Sequence, residues 1–101
     1  MRIIVFFDLP MLTDKDKRQY RKFRKDLIKN GFVMMQESVY TRMVLNQSVQ
    51  NSVISLLKKN KPENGLVQAL VVTEKQFTNI ENICGKIVSD IIDTDERVIV
   101  L

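Results

Sequence analysis

The spacing of apolar residues changes along the chain and marks out its elements. Residues 2–8 (RIIVFFD) are almost continuously apolar, which predicts a strand buried on both faces, and Pro10 stops it. Thr13 suits a helix N-cap, with Asp14 and Asp16 in the first turn, where the helix dipole favours negative charge. The helix runs to the stop signal Asn30-Gly31 and carries Tyr20, Phe23, Leu27 and Ile28 as one apolar stripe. Residues 32–36 (FVMMQ) and 39–45 (VYTRMVL) read as strands. Their joint, Glu37-Ser38, lacks the Gly or Asn-Gly of a tight hairpin, so a sharp turn and a bend within one strand both remain open. A second helix over 47–60, capped by Asn46 or Ser48, turns Val49, Val53, Ile54, Leu56 and Leu57 inward. Pro62 to Gly65 forms a turn, and residues 66–73 (LVQALVVT) another strand. Residues 74–85 read as a short helical turn followed by a weak strand. Residues 86–92 suit either helix or strand, and 98–101 (VIVL) form a terminal apolar strand.

This order, β-α-β-β-α-β plus a C-terminal strand, predicts an α+β fold of the ferredoxin-like kind, with two helices on one face of an antiparallel sheet. A single domain over 1–101 follows, with 86–101 as a C-terminal extension suited to dimer or partner contacts. In the first strand Ile3, Val5 and Phe7 point one way, and Ile4, Phe6 and Asp8 the other. In 66–72, Leu66, Leu70 and Val72 oppose Val67, Ala69 and Val71. Both sheet faces are thus apolar, while two helices cover one. A second copy of the chain is the simplest cover for the other, which predicts a homodimer.

Charge adds a second partner. The net charge is +4, yet residues 13–30 alone hold eight basic and three acidic side chains, so the remainder is slightly acidic. Arg18, Lys22, Lys25 and Lys29 recur at helical spacing, opposite the apolar stripe, and Lys17, Arg21 and Arg24 form a flanking row. Such a face is either a solvated helix surface or a track for phosphates, and its length with only Asp26 to balance it favours nucleic acid. No apolar run approaches the roughly 20 residues of a membrane span, and Asp8 interrupts the N-terminal run too early for a signal peptide. With one cysteine, Cys84, and hence no intrachain disulfide, a cytoplasmic protein is expected.

The chain has no histidine. Histidine acid–base chemistry, Cys/His zinc sites and Ser-His or Cys-His triads are excluded, and Cys84 has no His to activate it. Any chemistry falls to carboxylates, Lys, Tyr or a hard metal held by oxygen. Asp8, ending an apolar strand, has two readings: a turn-forming or capping acid, and a ligand for Mg²⁺, which commonly takes one or two protein carboxylates and keeps waters for a phosphate substrate. A two-fold axis near the strand end would bring two copies of Asp8 to one ion. In Gln36-Glu37-Ser38-Val39-Tyr40, Ser38 and Tyr40 would share one side of a continuous strand. The five methionines and the phenylalanines Phe6, Phe7, Phe23, Phe32 and Phe77 read as core or interface filler.

Asp8 at the end of the first strand, the basic helix with Leu27 and Gly31, and the Q-x-S-V-aromatic pattern of Gln36, Ser38, Val39 and Tyr40 together resemble the CRISPR-associated protein two family. The chain as a whole is similar to the form found beside the Cas-nine effector. The resemblance implies a ferredoxin-like homodimer acting in spacer acquisition, bound to duplex DNA and to the integrase, CRISPR-associated protein one. It further implies a Mg²⁺-dependent (or Mn²⁺-dependent) endonuclease acting on RNA or DNA, with Asp8 as catalytic residue and metal ligand. Many members have Tyr before the aspartate, where this chain has Phe7, and a basic residue two before the glutamine, where it has Met34. A phosphate-orienting group is missing at each position. Two other readings stand beside this one: a stand-alone metal-dependent ribonuclease of toxin type, and a non-catalytic ferredoxin-like RNA-binding module.

Overall fold

The computed structural model describes residues 1–85. The expected C-terminal extension 86–101, with its terminal strand, lies outside the described residues. Seven elements follow in order: β1 Arg2–Asp8, α1 Asp14–Lys29, β2 Val33–Gln36, β3 Val39–Met43, α2 Gln47–Lys59, β4 Leu66–Val72 and α3 Glu74–Thr78. The strands form one antiparallel sheet in the order β2-β3-β1-β4, the ferredoxin-like arrangement. β1, the most buried strand, takes an inner position between β3 and β4. β3 ends two residues earlier than its apolar run suggests. Val44 leaves the strand but stays buried, its N–H donating to the Met1 carbonyl at 2.8 Å.

Alternation in β1 sorts the molecule into two faces. Ile3, Val5 and Phe7 join a core with Phe23 and Leu27 of α1, Tyr40 of β3 and Val53 of α2. Ile28 does not join it. One residue beyond Leu27, it is turned about 100° around the helix and is half exposed. On the other face, Phe6, Val33, Met43, Leu66 and Leu70 are all at least a third exposed. The uncovered apolar face is therefore real among the described residues. Four of the five methionines (Met1, Met11, Met34 and Met43) are exposed rather than core, as is Phe6. Of these, Met43 and Phe6 lie on the face where the sheet has no second layer, a position that suits interface filler.

Helix caps close the ends as the sequence predicts. Thr13 and Asp16 form a reciprocal capping box at α1, and Asn46 caps α2 through a bond from the Val49 N–H. Thr73 and Gln76 cap the short α3 in the same reciprocal way, and no strand follows it through residue 85. α3 is anchored by the first strand. The Arg2 guanidinium, pointing to the open face, makes a two-pronged bond to Glu74 at 2.7 and 3.1 Å and sits 4.1 Å from the centre of the Phe77 ring. α3 thus covers the Arg2 end of the face and leaves the Asp8 end open.

The Arg2 hydrogen bond holds the Glu74 carboxyl below its ordinary range. A group depressed in the folded state stabilises above its unfolded pKa and loses that contribution as pH falls through the folded value. Lowering the pH below the ordinary carboxyl range is therefore expected to loosen α3 from the sheet, read as faster hydrogen exchange of its amides. Glu74→Gln should remove this acid-dependent step. An identical acid response in that variant would refute the link.

Candidate functional site

Asp8 ends β1 on the open face, paired in register with Leu66 of β4. It is exposed, and its carboxylate makes no hydrogen bond or ion pair among the described residues. The other strand-end reading, a capping acid, finds no support in this geometry. The cap of α1 is built by Thr13 and Asp16, whose carboxylate accepts from the Leu12 and Thr13 N–H groups at 3.2 and 3.1 Å. Asp26, Glu63 and Glu74 are likewise engaged, with Lys22, Lys15 and Arg2. Asp8 keeps both oxygens free.

Three contacts fix the backbone on which Asp8 stands. The Phe7 ring stacks on Tyr40 (centroids 5.7 Å apart) and meets Phe23 and Tyr20 edge-on at 5.1 and 5.9 Å. Its N–H donates to the Ser38 carbonyl at 3.0 Å. Glu37 and Ser38 form a tight turn between β2 and β3, which settles the ambiguity at that joint. Ser38 adopts φ 66, the left-handed conformation usually left to Gly or Asn, at a cost of about 1 kcal/mol. Ser38 is therefore a turn residue and does not share a strand face with Tyr40. On the other side, Gly65 approaches Asp8 so closely that a Cβ would lie 2.6 Å from its carbonyl oxygen.

The residues Lys17, Arg18, Arg21, Lys22, Arg24, Lys25 and Lys29 are all exposed on α1, as expected. Within one chain they lie on the helix side of the sheet, and Asp8 on the opposite side, so the fold does not bring them together. They are not equivalent. Lys22 pairs with Asp26 at 3.1 Å, one turn on. Arg24 Nε donates to the Tyr40 hydroxyl at 2.7 Å, and this bond raises the arginine pKa further. Sequence reading missed this pair because its members lie sixteen residues apart on different elements. It also missed the lysines at the end of α2. Lys58 and Lys59 lie in its last turn, where the dipole favours cations, and Lys61 faces Lys22 across a cleft of about 200 Å³. The basic surface thus spans both helices.

The fit of a divalent metal rests on the donor set. Among the described residues no three carboxylate, Cys or His side chains gather into a metal site. The free, exposed carboxylate of Asp8 suits Mg²⁺, a hard cation that binds through one or two carboxylates and water. A second Asp8 from another copy would complete a pair.

The family described as CRISPR associated protein Cas2 matches residues 1–80. The chain belongs to the Cas2 family. A relative from Treponema denticola, named CRISPR-associated endoribonuclease Cas2, is 50% identical over the full length of both chains. Relatives of the same name from Ligilactobacillus salivarius and Streptococcus mutans are 39% and 42% identical over 100% of this chain, covering 100% and 93% of their own lengths. The crystal structure of Streptococcus pyogenes Cas2 at pH 6.5 superimposes with a TM-score of 0.65 at 16% identity, covering 83% of this chain and all of that one. That likeness concerns the fold. The two departures from the Cas2 pattern now have places: Phe7 is a core anchor, and Met34 is the cross-strand neighbour of Tyr40, the residue that holds the Arg24 guanidinium. No helix among the described residues is long and apolar enough to cross a membrane.

Gly65→Ala should expose how tightly Asp8 is held. Its φ of 97 disfavours any side chain, and the added methyl meets the Asp8 carbonyl oxygen and the buried Leu9 side chain. A loss of roughly 2 kcal/mol or more is expected in denaturant unfolding. A neutral result would show that the turn yields freely.

Proposed function

We propose that this chain is the dimeric small subunit of CRISPR spacer acquisition. Two copies join through their uncovered sheet faces, the basic helices hold duplex DNA, and the dimer scaffolds the integrase, CRISPR-associated protein one. Asp8 from each copy binds Mg²⁺, which Mn²⁺ can replace, for endonuclease cleavage of a phosphodiester. The observation that carries this reading is the placement of an unpartnered carboxylate at the open end of an apolar sheet face. Joining two such faces buries Phe6, Leu66 and Leu70 and carries two Asp8 side chains to one rim. A bound divalent ion would supply charge neutralisation at a phosphate and a more acidic water. The chain's own part is to hold Asp8 rigidly and to present cations to the nucleic acid backbone. A cytoplasmic location follows from a genomic DNA substrate.

The relatives named endoribonucleases favour a second reading for the substrate, in which the same dimer cuts RNA. A toxin-type ribonuclease is the stand-alone form of that reading. A non-catalytic RNA-binding module finds less support. Tyr40, the aromatic of the QESVY segment, is 1% exposed inside the helix-side core and offers no ring for base stacking.

Two measurements separate the parts of the proposal. Leu70, half exposed on the open face, tolerates charge in a single chain, so Leu70→Glu should leave a folded monomer by sedimentation while the parent sediments as a dimer. A monomeric parent at micromolar concentration, or a dimeric variant, would refute the face-to-face dimer. Asp8→Asn should keep the dimer and DNA binding, abolish Mn²⁺ binding by electron paramagnetic resonance, and reduce Mg²⁺-dependent cleavage of RNA or DNA at least ~100-fold. Undiminished cleavage would remove Asp8 from the site.

A further inference from the structure

Arg24 is unlike the other cations of α1. Most of the exposed Lys and Arg side chains on this helix must surrender rotamer freedom when they meet a phosphate, at up to about 2 kcal/mol for each side chain. Arg24 has already surrendered it. Its Nε–H is fixed on the Tyr40 hydroxyl at 2.7 Å. The hydroxyl cannot swing, because the Tyr40 ring is 1% exposed and stacked on Phe7. Phe7 is in turn wedged against Tyr20 and Phe23 of the same helix that carries Arg24. Helix, ring stack and guanidinium form a closed loop of contacts.

The clamp engages one edge of the guanidinium. Nε has one N–H, now used, and the two terminal nitrogens keep four. Arg24 is exposed and has no carboxylate within ion-pair distance among the described residues. A planar, permanently charged fork, oriented and without a counter-ion, matches a tetrahedral oxyanion bearing two accessible oxygens. Lys22, by contrast, is occupied by Asp26. Arg18, Arg21, Lys17, Lys25 and Lys29 make no side-chain hydrogen bond among the described residues, so they contribute charge without orientation.

We propose that Arg24 is the preorganised phosphodiester contact of the basic face and that Tyr40 is its positioning residue. This rests on the reading of that face as a nucleic-acid surface. The site lies on the helix side of the sheet, opposite Asp8, so it governs how the nucleic acid is held. Arg24 then supplies a larger part of the affinity than its one-in-eight share of the helix's basic charge, and Tyr40 acts wholly through it.

The test is a double-mutant cycle on the full chain, with affinity for a labelled DNA duplex measured over a range of salt. Arg24→Gln should weaken binding about 10-fold and lower the salt slope by about one, whereas Arg18→Gln should cost about 2-fold with a similar change in slope. Arg24→Lys should restore the slope without the affinity, because an ammonium lacks the clamped fork. Tyr40→Phe should weaken binding about 5-fold when Arg24 is present and less than about 2-fold in the Arg24→Gln background. Equal losses in both backgrounds would reduce Tyr40 to a core residue, and Arg24→Gln no worse than Arg18→Gln would remove the clamp; either result overturns the inference and leaves the nucleic-acid surface standing. A parent protein that binds neither duplex nor single-stranded RNA in a salt-dependent way overturns both.

Discussion

The structure depends on where the Phe7 ring is held. Tyr40 stacks on it from β3, and Phe23 and Tyr20 meet it edge-on from α1, each such aromatic pair adding about 0.5–1.5 kcal/mol beyond simple burial. A strand alternates, so committing Phe7 to the helix side commits Asp8 to the other. The same ring fixes the register of β1 against β3 and the depth at which α1 lies on the sheet. The Ser38 carbonyl and the Gly65 turn then close on the strand end from either side. A carboxylate on an otherwise apolar surface is held there by a hydrophobic contact one residue away.

The consequence is a molecule with two unlike sides separated by one sheet. The helix side carries the cations, now including Lys58, Lys59 and Lys61 of α2 and the turn after it, and suits a polyanion. The sheet side is apolar with an acid at one end and α3 at the other, and suits a protein surface. Such a division lets a small domain engage a nucleic acid and a second protein at once, with little competition between them.

Much of this was legible in the sequence. The burial of Ile3, Val5 and Phe7 against the exposure of Phe6 and Asp8 follows from period two, and the caps at Thr13 and Asn46 follow from residue type. The apolar count on both strand faces pointed to an uncovered layer. Composition failed where position decides. Met43 is hydrophobic but sits on the uncovered face, Met34 is half exposed on the edge strand beside Tyr40, and Ile28 lies one residue off the buried stripe. The turn at Ser38 was hidden because its residue carries a conformation its type disfavours. The Arg24–Tyr40 bond and the Arg2 latch on α3 were hidden because each joins residues that only tertiary packing brings together.

The chain contains two tyrosines and no tryptophan. Both tyrosines, Tyr20 and Tyr40, lie against the Phe7 ring, with centroids 5.9 and 5.7 Å away. Near-ultraviolet emission from the unlabelled protein therefore arises at one spot. It reports, without any added dye, on the joint where the cationic helix meets the strand that carries the acid.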